Sequence, residues 1–194
     1  MTDIINRGTG AGGANTNVNG KSFEEKTSNE QRLLSTGFIK KTIPGSDRAK
    51  YGYYLVKEMS PTESITYLTQ TGLKAYFEYF FKKEMCRQPD EAYLFRTGTT
   101  YTLKVLEKKN QNTGGSVDTK LLAGPGFIEE YQILLGEMFT VRYAFCISAF
   151  LKKDYVSDTT KYKTLRTINE RHGIKVLFGD DVDYYETLDA WINS

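Results

Sequence analysis

Two spacings of apolar residues alternate along this chain. Side chains three or four apart share a helix face, and side chains two apart share a strand face. Helical spacing predicts helices over residues 22–35, 61–84, 127–137, 160–171 and 183–192, with a shorter one opening at Ser116 and interrupted by Gly124-Pro125-Gly126. Ser22 as N-cap with Glu25 three residues on forms a capping box, and Gly37 suits the far end of that helix. Ser60-Pro61-Thr62-Glu63 reads as a helix start, ahead of an apolar stripe of Tyr67, Leu68, Leu73, Tyr76, Phe77, Phe80 and Phe81. Later inward faces are Phe127, Ile128, Tyr131, Leu134 and Leu135, then Tyr185, Leu188 and Trp191.

Strand-like runs, β-branched and aromatic, fall at 51–58, 91–109, 140–151 and 174–178. The second holds two strands if Thr97-Gly98 closes a hairpin, and 140–151 is apolar on both faces, as a strand between two layers must be. A hairpin followed by helix-joined strands predicts an α/β fold, a central mixed sheet flanked by helices.

Composition limits the picture without directing it. The 194 residues are 39% hydrophobic and 13% aromatic, enough for one domain with a real core over 22–194. Residues 1–21 are rich in Gly and Asn, lack an apolar period and read as an N-terminal arm. The net charge of +2 requires any nucleic-acid binder to gather its cations into a cleft. Cys86 and Cys146 form no zinc framework and read as buried free thiols. The absence of a secretory leader or long apolar run predicts a soluble, intracellular, cytoplasmic protein with no membrane partner. Gly8-x-Gly10-x-x-Gly13 lacks its strand and helix, and Gly20-Lys21-Ser22 lacks the first glycine of a phosphate loop, so no nucleotide cofactor is expected.

The chemistry concentrates in residues 89–109. Pro89-Asp90 opens one predicted strand, and Glu107-Lys108-Lys109 closes the next. Glu107 and Lys109 share a face that continues Leu103 and Val105, while Lys108 points away and is expected to be dispensable. The hairpin brings Asp90 beside that end, where two carboxylates can share a divalent cation and an ammonium can orient the attacking water. Gln111 continues the face with a neutral donor and acceptor. Glu25 is occupied by the capping box, which leaves Glu24 to reach a metal from the first helix.

The pattern Pro89-Asp90 … Glu107-x-Lys109, within a helix–strand–hairpin–helix–strand order over residues 22–150, resembles the PD-(D/E)XK nuclease superfamily. The GAGGANTNVNG-KSFEE segment is similar to small restriction-type endonucleases. The resemblance implies a restriction endonuclease-like fold and Mg²⁺-dependent cleavage of double-stranded DNA at specific sites, by a homodimer matched to a two-fold site. Asp90 and Glu107 would be the metal-binding acids, Lys109 the catalytic lysine, Gln111 a polar companion, and Glu24 or Glu25 a further acid. The chain's only histidine, His172, sits at a predicted helix end, so a histidine-metal nuclease does not fit. Candidate DNA contacts are Asn15 and Asn17 in the arm, Lys41 with Lys40, Arg48 and Lys50 in a loop, Lys120, and a group of Lys152, Lys153, Lys161, Lys163 and Arg166. Alternatives are a junction resolvase or repair nuclease, and a non-catalytic nucleic-acid-binding module.

Overall fold

Seven strands lie side by side in chain order in one mixed sheet. The computed structural model describes residues 22–45, 52–110 and 117–194. The strands are β1 (Ile39–Thr42), β2 (Tyr53–Ser60), β3 (Glu63–Thr69), β4 (Glu91–Thr97), β5 (Thr100–Lys109), β6 (Phe139–Ile147) and β7 (Lys175–Phe178). β1 to β5 form an antiparallel meander, and β5, β6 and β7 run parallel. Parallel neighbours need a crossover, and helices supply both. These are α4 (Val117–Leu122) and α5 (Gly124–Leu135) before β6, then α6 (Ala149–Tyr155) and α7 (Thr160–Arg171) before β7. The remaining helices are α1 (22–26), α2 (Glu30–Ser35), α3 (Gln70–Phe81) and α8 (Tyr184–Ile192). The expected α/β architecture is the one observed.

Helices cover both faces of the sheet, which explains strands that are apolar on both sides. On one face Leu94, Leu103, Val105, Tyr143 and Phe145 pack with Phe77 of α3, Tyr131 and Leu135 of α5 and Leu165 of α7. On the other, Tyr67, Tyr93, Leu106, Ala144 and Cys146 pack with Phe23 of α1, Leu33 of α2 and Leu188 and Trp191 of α8. Lys104 is buried on this second face and caps the end of α8, its Nζ donating to the carbonyls of Trp191 (2.9 Å), Ile192 (3.0 Å) and Ser194 (2.6 Å).

The helix expected over 61–84 is corrected to a strand and a helix. Pro61 and Thr62 make a tight turn between the paired residues Ser60 and Glu63, and β3 runs back along β2. Tyr67 and Leu68, which looked like neighbours in a helical stripe, face opposite layers. The helix starts only after Thr69, whose Oγ1 accepts from the Gly72 N–H at 3.2 Å as a side-chain cap. The first helix is broken between α1 and α2, and the strand expected over 140–151 ends at Ile147 because α6 follows an extended Ser148. β1 occupies part of what read as a basic loop. The hairpin at Thr97-Gly98 is as expected: Thr97 pairs with Thr100, and Gly98 takes the left-handed φ of 62° that the turn requires.

Candidate active site

The register of β4 on β5 builds the site. Glu91 pairs with Leu106, so one step outward sets Asp90 against Glu107. Pro89 has no N–H to extend the ladder, and the Lys108 N–H beyond its end is taken by the Asp90 carboxylate, with Oδ2 as acceptor at 2.6 Å. Glu107 and Lys109 point to the face of Leu103 and Val105, and the Lys109 ammonium is ion-paired with Glu107 Oε1. Both side chains remain partly open, at 23% and 20% exposure, where the apolar face gives way to solvent. Asp90, Glu107 and Lys109 therefore come together as the sequence implied.

Their charges do not cancel. Burial raises the Asp90 carboxyl from 3.8 to about 6, and the Glu107 carboxylate pushes it the same way. The Lys108 N–H and the ammonium groups of Lys109 and Lys108 oppose the rise without overcoming it. Glu24 approaches from α1, its acidity also weakened first by burial and then by Asp90, against the pull of Lys108 and Lys109. Across the apolar face the buried hydroxyls of Tyr143 and Tyr131 are held protonated by burial, with Glu107 adding to the effect. A cleft of about 500 Å³ opens beside Asp90 on the α1 side, bordered by Glu24, Glu25, Thr69, Asp90, Glu91 and Lys108; Glu107 and Lys109 do not line it.

Lys108 does face away from Glu107 and Lys109, but it is not in solvent. Its side chain is 3% exposed, and Nζ lies 2.7 Å from Oε1 of the equally buried Glu91. Glu91 also accepts from the Asn29 N–H (3.1 Å) and the Tyr93 hydroxyl (2.9 Å). Lys108 is therefore a buried, paired charge and not a solvated one, and removing it would leave Glu91 without its cation in the core. The sequence signal for Glu91 is its strand parity, which puts it with Tyr93, Leu106 and Lys108 in the buried layer behind Asp90.

Among the other candidates, Gln111, Asn15, Asn17, Arg48 and Lys50 lie outside the described residues. Lys41 is exposed on the edge strand β1, apart from the acid pair in the sheet order, and Lys120 is exposed on α4. Lys40 lies over the Tyr53 ring and bonds Glu30 at 3.4 Å. The second basic group is largely matched locally: Lys152 pairs with Asp181, Lys161 with Asp118 and Lys163 with Asp158, while Arg166 donates to the Tyr155 and Ser157 carbonyls. Cys86 is exposed, contrary to expectation, whereas Cys146 is buried, and both are free thiols.

Among the described residues, no group of three or more His, Cys, Asp or Glu side chains is arranged to hold a metal. Glu24 therefore does not complete a three-acid cage with Asp90 and Glu107. Two acids fit Mg²⁺, which keeps several waters and takes one or two carboxylates together with substrate phosphate. Each acid has an oxygen to offer, since Asp90 Oδ2 is engaged by Lys108 and Glu107 Oε1 by Lys109. No described helix is long and apolar enough to cross a membrane. Comparison with known proteins adds no relative: no protein-family model, curated protein or solved structure matches the chain.

Proposed function

We propose that the protein is a Mg²⁺-dependent deoxyribonuclease of the PD-(D/E)XK type that cuts double-stranded DNA at specific sites. The observation carrying this reading is the partly buried, mutually repelling pair Asp90 and Glu107, with a single lysine on the same face. Two carboxylates held together in partial burial oppose folding unless a cation relieves them. The order supports the same family: an acid where β4 begins, Glu-x-Lys where β5 ends, then helices crossing to the parallel β6.

Hydrolysis would add a water oxygen to phosphorus and break one P–O ester bond. Bound Mg²⁺ would supply a Lewis acid on the phosphate and acidify a coordinated water. Asp90 Oδ1 and Glu107 Oε2 are the atoms left to hold it, and Lys109 Nζ, already beside Glu107, would present its ammonium to the attacking water or to a phosphate oxygen. Glu24, less acidic than an ordinary carboxyl, would accept hydrogen bonds from waters at the cleft edge. Cleaving both strands of a two-fold site would use two copies, one site per strand.

Plasmid DNA incubated with the protein, with Mg²⁺ or with EDTA, tests this reading. Discrete Mg²⁺-dependent bands, lost in Asp90→Asn, are the expected result. A smear would point to unspecific hydrolysis, and cutting only of branched DNA to a junction enzyme. Intact DNA in every condition would refute the reading and leave a binding module.

A further inference from the structure

Glu91 and Lys108 lie immediately behind the acid pair, on the opposite face of the same two strand ends, and both side chains are almost wholly buried at 2% and 3% exposure. A buried ion pair is a poor source of stability, because desolvation offsets most of the attraction and an apolar pair of similar volume often does as well. Its geometry serves position instead. Lys108 Nζ donates to Glu91 Oε1 at 2.7 Å and to the Glu24 carbonyl at 3.2 Å. Glu91 is fixed in turn by the Asn29 N–H at 3.1 Å and the Tyr93 hydroxyl at 2.9 Å, and that hydroxyl accepts from Asn29 Nδ2 at 3.1 Å.

Every side chain assigned to hydrolysis is attached to this network. Asp90 precedes Glu91, Glu107 and Lys109 flank Lys108, and Glu24 contributes its own carbonyl. The backbone N–H of Lys108 is also the donor that orients Asp90, at 2.6 Å. One pair thus ties β4, β5 and α1 together where their ends meet. A slip of β5 by one residue would bury Glu107 or Lys109 without a partner and turn Lys108 to the site.

We propose that Glu91 and Lys108 are positioning residues: a buried lock that fixes strand register and the approach of α1, and so holds Asp90, Glu107, Lys109 and Glu24 in their working geometry. What is positioned rests on the nuclease reading; that these elements are locked does not.

The test compares Lys108→Met, the double variant Glu91→Leu/Lys108→Met, and Glu91→Gln, which keeps volume and carries the same readouts if the double variant does not fold. Lys108→Met alone should melt at lower temperature or fail to fold, because it strands Glu91. The double variant should regain the melting temperature and bind DNA in Ca²⁺ as the unsubstituted protein does. Its turnover should nevertheless fall by about 100-fold, the scale of an ångström-sized misplacement, and half-maximal cleavage should need more Mg²⁺. A purely structural pair would recover cleavage together with melting temperature, so a stable double variant with unchanged turnover and Mg²⁺ dependence overturns the proposal. If the unsubstituted protein cuts no DNA, the nuclease reading fails alone, and the amide at position 108 decides the lock. The hydrogen bond to Asp90 should give it a downfield proton resonance and slow exchange; loss of both in the double variant supports the proposal, and retention overturns it.

Discussion

Asp90→Asn is the most direct probe of the charge conflict at the site. The unfolded chain releases the Asp90 proton near 3.8 and the folded protein near 6. Between those values the folded state still holds a proton that the unfolded state has lost, so stability falls as pH rises through the window. The handicap is absent below 3.8 and complete above about 6. At about 1.4 kcal/mol for each tenfold change in proton affinity, it amounts to about 3 kcal/mol. Asparagine removes the handicap but accepts the Lys108 N–H without a charge, a loss of about 1 kcal/mol. The net expectation in metal-free buffer is a variant about 2 kcal/mol more stable above neutrality, with a melting temperature about 4–8 °C higher for a chain of this size.

Urea unfolding followed by the fluorescence of Trp191, the only tryptophan, reads the difference across the pH range in EDTA. The advantage of the variant should be small at acid pH and should open as Asp90 ionises. Saturating Mg²⁺ should reverse the order, stabilising the unsubstituted protein by about 2.7 kcal/mol at a hundredfold excess over its dissociation constant and leaving the variant almost unmoved. A variant that unfolds at lower urea than the unsubstituted protein above neutrality, or a difference that ignores pH, would refute the argument from burial and Glu107 repulsion. Asp90 would then be a structural cap on Lys108.

Three further substitutions separate chemistry from support. Lys109→Ala should cut the cleavage rate by about 10²–10⁴-fold while melting changes little in Mg²⁺; equal loss of rate and fold in a thermal scan would make Lys109 structural. Lys104→Met removes the donor shared by the last two α8 carbonyls and that of Ser194 and should cost about 2 kcal/mol in urea unfolding, with Mg²⁺ dependence unchanged because Lys104 is remote from the acids along β5. Gly179→Ala would set a Cβ 2.6 Å from Phe23 Cζ, 2.7 Å from Thr27 Cγ2 and 2.8 Å from Cys146 Sγ. It should cost about 1–3 kcal/mol and, by shifting α1 with Glu24, raise the Mg²⁺ needed for half-maximal cleavage; an unchanged metal requirement would show that α1 does not serve the site.

The parts legible in the sequence were those fixed by local chemistry. The 91–109 hairpin followed from its turn glycine and two β-rich arms, and α7 from a clean helical period closed by Gly173, whose φ is 65°. The acid pair with its lysine was legible because strand parity and one turn suffice to place Asp90 beside Glu107. β3 was not, because a strand buried on both faces has no two-residue alternation to separate it from a buried helix. Its Tyr67 and Leu68 were therefore absorbed into the helix that follows. The lock of Glu91 and Lys108 was hidden for a different reason. Its residues look like ordinary surface charges until α1, α2 and α8 cover that layer, and the partners Asn29 and Tyr93 lie about sixty residues apart in the chain.

The two faces of the β4–β5 end pose the same electrostatic problem and answer it differently. Behind, one buried acid meets one buried lysine, and the remaining acceptor positions of Glu91 are filled by an amide and a hydroxyl. In front, Asp90 and Glu107 share Lys109, with Glu24 adding a third carboxyl nearby, and Asp90 stays protonated well above its ordinary range. Sequence changes as small as exchanging one acid for its amide would relieve the front face, and the chain demonstrably fits a neutralised pair on the same strands. An uncompensated face set directly on a compensated one is the arrangement that the proposed cation site would require. On the proposed nuclease reading a divalent cation would supply the missing positive charge, and the phosphate it drew in would account for the lysine held at its side.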